Sequence, residues 1–202
     1  MARLTQRCKE LVASAMKDGI YEAAIEVVGE HGLDGLTMDR LAEAAGVAKG
    51  SLYNYFRNKE ELVLFLFEKT VEPARQAVIE ILGQPVCAVE KLESILRVWF
   101  ENFATQRGIF DFLLSNRVGR ELLDCPKQSM RADAIEKFQR VFRQGIEEGA
   151  FRTVDVSRTA EMLLGAVILT IEQQVALAEE RPVDESVRSL MDLFLQGLKP
   201  RR

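Results

Sequence analysis

The chain has 202 residues, of which 48% are hydrophobic and 29% charged, with three Cys and a single His. That length suits one compact unit or two small domains, and the composition is that of a globular chain rather than a disordered or fibrous one. The formal charge of -4 gives no global nucleic-acid signal, the lone His31 leaves little for Ser-His-Asp or Cys-His chemistry, and Cys8, Cys87 and Cys125 show neither CxxC nor HxxxH zinc spacing.

The odd, scattered cysteines argue against a disulfide scaffold and point to a reducing, cytoplasmic location. No apolar segment of signal-peptide type follows the charged N-terminus. The longest stretch without Asp, Glu, Lys or Arg runs from Met162 to Ile171, ten residues. A membrane span needs roughly 20, so this stretch reads as the buried centre of a helix and no membrane partner is expected. Nor is a metal or cofactor expected.

Nearly every segment reads as helix. A first helix covers about 8 to 31 and ends at Gly32, a C-terminal glycine cap. Thr37 is placed to cap a short helix from Met38 to Ala45, with Asp39 in its first turn. Gly46-Val47 is a tight turn, and a second short helix follows from Lys49 to Tyr55. Asn58 and Glu61 form a capping box for a helix that Pro73 should bend or stop. Gly83-Gln84-Pro85 breaks the chain. From Val89 to Gln106, Leu92, Ile95, Leu96, Trp99 and Phe103 line one helical face. Further helices are expected over Ile109 to Leu123, 128 to 148, Asp155 to Glu180 and Asp184 to Leu198, with Cys125-Pro126 in a loop. No run alternates with period two. The expected class is therefore all-α, about nine helices, with a small N-terminal domain at 1–57 and a larger helical domain at 58–202.

Two short helices joined by a glycine turn, after a longer helix, form a helix-turn-helix pattern. Leu36, Leu41, Ala45, Val47, Leu52 and Phe56 would make its core. Lys49, Gly50, Ser51, Tyr53, Asn54 and Tyr55 are then left outward or at the helix start. Lysine supplies charge, glycine lets the backbone approach, Ser and Asn can hydrogen-bond base edges, and tyrosine hydroxyls can reach phosphates. Charge placement agrees. Residues 1–17 hold four basic side chains against Glu10, +3; residues 18–43 hold Arg40 against seven acids, -6; residues 44–59 hold Lys49, Arg57 and Lys59 with no acid, +3. Phosphate binding needs only such a local arrangement.

The string from Gly35 to Leu62, GLTMDRLAEAAGVAKGSLYNYFRNKEEL, resembles the DNA-binding segment of the TetR/AcrR family of bacterial transcriptional repressors. The preceding helix also fits, with Ala24, Ile25 and Gly32, so the resemblance covers roughly the first 65 residues. It implies that Thr37 binds a phosphate at the start of the second helix. It places Lys49, Gly50, Ser51, Tyr53 and Asn54 at recognition-helix positions, and has Tyr55 and Lys59 clamp the DNA backbone. Asp39 departs from the pattern, since many members carry a basic or neutral residue there.

The resemblance further implies a C-terminal domain that encloses a small-molecule pocket and forms a homodimer through its last two helices. Trp99, Phe103, Phe110, Leu114, Phe138, Met162 and Gln173 are the pocket candidates for a largely apolar effector, with Phe100, Phe112, Asn102, Arg117 and Arg120 nearby in sequence. Plain bundle core is the alternative for any one of them. Gly165, Ala166, Leu169, Leu190, Leu193 and Phe194 are the dimer candidates, small residues permitting close helix approach. A two-fold protein would match a palindromic double-stranded operator. Two rival classes are an enzyme using a helical cavity, disfavoured by the absence of a nucleophile–base or metal pattern, and a protein-interaction module. His31, at a helix end, reads as a C-terminal helix cation or packing residue, and Cys125 as an ordinary thiol.

Overall fold

A computed structural model of the chain describes residues 2–32, 35–110, 124–175 and 181–198. In order these form α1 (Ala2–His31), α2 (Met38–Ala44), α3 (Lys49–Tyr53), α4 (Lys59–Gly83), α5 (Ala88–Thr105), α6 (Asp124–Glu147), α7 (Val156–Val175) and α8 (Val183–Leu198). A helical turn at 107–110 follows α5, and no strand occurs among the described residues. The class is all-α, as the patterning indicates.

Contacts divide the chain into two units, Met1–Thr70 and Val71–Arg202. The expected division at residues 57 and 58 falls in the loop before α4, whereas the contact boundary lies within that helix. The first part of α4 groups with α1 because Leu62, Val63, Leu66 and Phe67 are buried. Tyr21 and Thr70 also share a hydroxyl hydrogen bond of 3.4 Å, and Lys69 pairs with Asp18 at 2.5 Å.

In the first unit α1 packs on α2, and α2 on α3. The spacing of Ile20, Ala23, Ala24 and Val27 puts four buried side chains on one face of α1. They share the buried interior of this unit with Leu36, Leu41, Leu52 and Phe56, while Ala45 and Val47 are half-buried. The Phe56 ring lies 5.1 Å from that of Phe65, and the Lys17 ammonium sits over both rings, at 5.7 and 5.6 Å.

In the second unit α5 packs against α6, α7 and α8, while α7 also packs on α6 and α8. One core runs through Leu92, Ile95, Leu96 and Phe100 of α5, Phe138, Val141 and Phe142 of α6, Leu163 and Val167 of α7, and Val187 and Met191 of α8. Gly145 lies where any side chain would strike Phe151: an added Cβ would stand 2.1 Å from its ring. Polar side chains lash the turn between α4 and α5. Glu148 accepts the Ala88 N–H at 2.9 Å, Gln144 donates to the Val86 carbonyl, and the buried Lys91 ammonium donates to the Leu82 carbonyl. The Glu148 carboxyl is held below its ordinary pKa, first by the Ala88 N–H and then by Gln144.

Besides α1, which begins at Ala2 rather than near residue 8, three helix boundaries differ from expectation. First, α4 continues through Pro73 to Gly83. A proline removes one backbone bond, and buried residues on either side, Leu66 and Phe67 before it and Ala74 and Val78 after it, favour the helix regardless. Second, Cys125 and Pro126 lie inside the first turn of α6, where the missing proline N–H would have no partner anyway. Third, α3 ends at Tyr53, because Asn54 and Tyr55 donate to Ser51 and Leu52, three residues back, and tighten the last turn. Most of the helix expected over Ile109 to Leu123 lies outside the described residues.

Candidate nucleic-acid interface

The helix-turn-helix is built from local capping upward. Thr37 is extended, and its hydroxyl accepts the Arg40 N–H at 3.2 Å, so that it caps α2. Used as an acceptor, the hydroxyl keeps its proton for an incoming phosphate oxygen. Arg40 is engaged by the Gly35 carbonyl at 3.1 Å. Between α2 and α3 the chain turns at Gly46, whose φ is +64°. Nothing lies within 4 Å of a Cβ built there, so glycine is required by backbone conformation and not by space. The Gly46 and Val47 N–H groups close the turn on the Glu43 and Ala42 carbonyls.

Helix α3 buries Leu52 and turns its other residues outward. Lys49, Gly50, Tyr53 and Asn54 are exposed, while Ser51, Tyr55 and Lys59 are half-buried. The eight residues singled out as DNA contacts thus fall in three places, with Lys59 as the first residue of α4. Thr37 is at the start of α2, while Lys49, Gly50, Ser51, Tyr53, Asn54 and Tyr55 lie along α3 and the turn that follows it. No atom lies within 4 Å of a Cβ built on Gly50, which leaves its backbone open to close approach. The capping expected of Asn58 is present: its side chain accepts the Glu61 N–H at 2.8 Å, and Glu61 reaches back to the Arg57 N–H at 2.7 Å.

The sequence reading missed one contact. Lys49 stands at the start of α3 with its ammonium 2.7 and 2.9 Å from the two carboxylate oxygens of Asp39. The hydrogen bond and negative charge of Asp39 raise the lysine pKa above its ordinary value. Only the departure of Asp39 from the resembled pattern hinted at this pair, since the residues are ten apart in sequence.

Of the pocket candidates, Phe103 and Phe138 are fully buried, and Trp99 and Phe110 are half-buried. They occur as two aromatic pairs, Trp99 with Phe138 at 5.0 Å and Phe103 with Phe110 at 5.5 Å. Asn102 is half-buried. Leu114, Phe112, Arg117 and Arg120 lie outside the described residues. Two candidates require correction. Met162 is 67% exposed and Gln173 is also exposed, because the inward face of α7 is carried by Leu163, Leu164, Val167 and Gln174. The buried side-chain amide is that of Gln174, which donates to the Ser186 hydroxyl at 2.8 Å, while the backbone carbonyl of Gln174 accepts from Arg107.

The dimer candidates also divide. Gly165, Leu169 and Leu193 are exposed, and Ala166 and Phe194 are half-buried. Leu190 instead belongs to the core of its own chain, because it shares the α8 face of Val187 and Met191. Among the other residues singled out, His31 is exposed, 4.0 Å from Glu30. Cys87 is exposed before α5, and the Cys125 side chain is outside those described. Among the described residues no His, Cys, Asp and Glu cluster could hold a metal, and no helix is long and apolar enough to cross a membrane.

Residues 20–65 match the family described as bacterial regulatory proteins, tetR family. The chain is 24% identical to the fatty acid metabolism regulator protein of Bacillus subtilis, over 89% of this chain and 93% of that one. It is 28% identical to the transcriptional repressor KstR2 of Mycobacterium tuberculosis, over 66% and 68% of the two chains. The crystal structure of FadR from Bacillus subtilis in complex with stearoyl-CoA superimposes with a TM-score of 0.69, covering 89% of this chain and 98% of that one at 24% identity. The helix-turn-helix thus lies within the residues that match the tetR family, and most of the chain is similar in sequence and fold to transcriptional regulators of that kind.

Proposed function

We propose that the protein is a homodimeric repressor that binds a palindromic operator and is released by a small, largely apolar effector. The carrying observation is the helix-turn-helix between Gly35 and Leu62, with Lys49, Gly50, Tyr53 and Asn54 turned to solvent on α3. In this reading Ser51 and Asn54 hydrogen-bond base edges, while Thr37, Lys49, Tyr53, Tyr55 and Lys59 meet the backbone and Gly50 admits it closely.

The dimer reading is supported by the outward faces of α7 and α8. Met162, Leu169 and Leu193 are among the most exposed large apolar side chains of the described chain, at 67, 54 and 68%. Gly165 lies between the first two with open space over it, which permits close approach of a second helix. Met162 therefore passes from the pocket set to this face. Apolar surface of this kind is unfavourable in water and is covered in a dimer.

For the effector, the aromatic pairs around Trp99, Phe103, Phe110 and Phe138 supply an apolar lining. The similarity to a fatty acid metabolism regulator selects long-chain acyl thioesters as the first compounds to test. Release requires the effector to bind the DNA-free dimer better than the DNA-bound one, favouring a spacing of recognition helices that no longer matches successive major grooves.

Selection of genomic fragments by the purified protein tests this. A palindromic site bound in a salt-sensitive manner is expected, with Ser51→Ala and Asn54→Ala shifting base preference. Stearoyl-CoA is expected to raise the melting midpoint and release the fragment, while free coenzyme A does neither. Absence of salt-sensitive, sequence-selective binding would overturn the main claim.

A further inference from the structure

The stretch from Ala44 to Lys59 contains Lys49, Arg57 and Lys59 and no acid. Of these, Lys49 stands at the start of the helix that would enter the major groove. Its charge is nevertheless matched from outside the stretch. Both carboxylate oxygens of Asp39, on the first turn of α2, lie within 2.9 Å of the Lys49 ammonium. The two side chains are 51 and 72% exposed, so this is no buried structural pair. It joins the first turn of α2, which Thr37 caps, to the start of α3, which ends before Asn54. A lysine compensated at this distance offers a phosphate little net positive potential.

We propose that Asp39 is a restraining residue for DNA binding: its carboxylate holds the Lys49 ammonium against the first turn of α2 and so lowers the affinity of the protein for duplex DNA irrespective of sequence. The inference rests on the DNA-binding reading above and deepens it. Asp39 acts through Lys49, as a positioning residue and not as a DNA contact. Its physical use is discrimination, because every lysine free to neutralise a phosphate adds equally to binding at all sequences. A lysine held by its own chain contributes only where the rest of the interface is well enough placed to draw it away.

The test uses the full chain and a random-sequence 30-base-pair duplex, so that no operator need be known. Binding of the wild type, Asp39→Asn, Lys49→Met and the double variant is followed by fluorescence anisotropy between about 50 and 200 mM salt, the window in which phosphate contacts show. Asp39→Asn should bind the random duplex about three- to tenfold more tightly, the range of one released charge near a surface. Its slope of log K against log salt should steepen by about 0.9, one more phosphate neutralised. The double variant should return to the wild-type slope, because the gain needs the lysine. Asp39 is exposed and Thr37 still caps α2, so matching melting midpoints should show that the variants fold; Asp39→Ser serves in place of Asn if Asn lowers the midpoint.

Three results would overturn the inference, and they separate. No salt-sensitive binding by the wild type removes the DNA-binding reading and this inference with it. Salt-sensitive wild-type binding with an unchanged Asp39→Asn slope leaves the reading standing and removes the inference alone. A steeper slope that persists in the double variant shows that Asp39 merely repels phosphate, which also overturns a role acting through Lys49.

Discussion

Leu193→Glu tests the proposed dimer face with the least ambiguity. Leu193 is 68% exposed on α8, so about two-thirds of its side chain is left to be covered by a partner. Full burial of a leucine is worth about 1.5–3 kcal/mol, and two-thirds of that is about 1–2 kcal/mol per copy. A two-fold interface uses the residue twice, so the change should weaken the dimer by about 2–4 kcal/mol. That is roughly a 30- to 1,000-fold rise in the dissociation constant, before any cost of placing a carboxylate against apolar surface. The folded monomer should be nearly unaffected, because the side chain contributes little to its own core. Leu11→Glu is the control, being 64% exposed on α1 and outside the proposed face. It should leave self-association unchanged. Sedimentation velocity over a concentration series reads the constants, and melting midpoints verify folding. A Leu193→Glu protein with the wild-type dimer constant would refute the assignment of this face, as would a wild type that stays monomeric at tens of micromolar.

Gly145→Ala sets helix propensity against packing. Alanine should gain about 1 kcal/mol in a helix interior, but its methyl would overlap the Phe151 ring, with the nearest ring atom 2.1 Å away. Overpacking of this kind costs about 1–3 kcal/mol, so a lower urea midpoint is expected; a raised midpoint would mean that Phe151 yields freely. Leu190→Ala should lower stability by about 2–5 kcal/mol through an internal cavity, since Leu190 is buried in its own chain, and a purely dimer-linked effect would contradict that placement. Glu148 carries a depressed pKa because the Ala88 N–H and then Gln144 favour its charged form. Its folded value lies below its unfolded one. The stabilisation is therefore complete above the ordinary carboxylate value and is lost as the pH falls through the depressed one. Glu148→Gln should accordingly be less stable than wild type at pH 7, with the gap closing in acid; denaturation midpoints at pH 7 and pH 3.5 decide it, and an equal gap at both would refute the linkage.

Much of the fold and the helix-turn-helix is legible in the chain because both rest on short-range rules. Thr37 caps α2, Asn58 and Glu61 cap the start of α4, and Gly46 turns with positive φ; each outcome depends on residues within about four positions. Spacing alone likewise placed Leu92, Ile95 and Leu96 inside. The rest depended on which neighbour a helix meets. Periodicity gives α7 an apolar character almost all round, so only packing on α5, α6 and α8 sends Leu163 and Gln174 inward and leaves Met162 and Gln173 in solvent. The same applies to Leu190, which faces its own core, and to Pro73, carried within a helix that has buried residues on both sides. It applies most of all to Lys49. Its identity marked it as a phosphate ligand, but the turn at Gly46 and the packing of α2 on α3 set it against Asp39. Charge along the chain is a property of the sequence; which charges neutralise one another is a matter of distance, and only tertiary structure determines it.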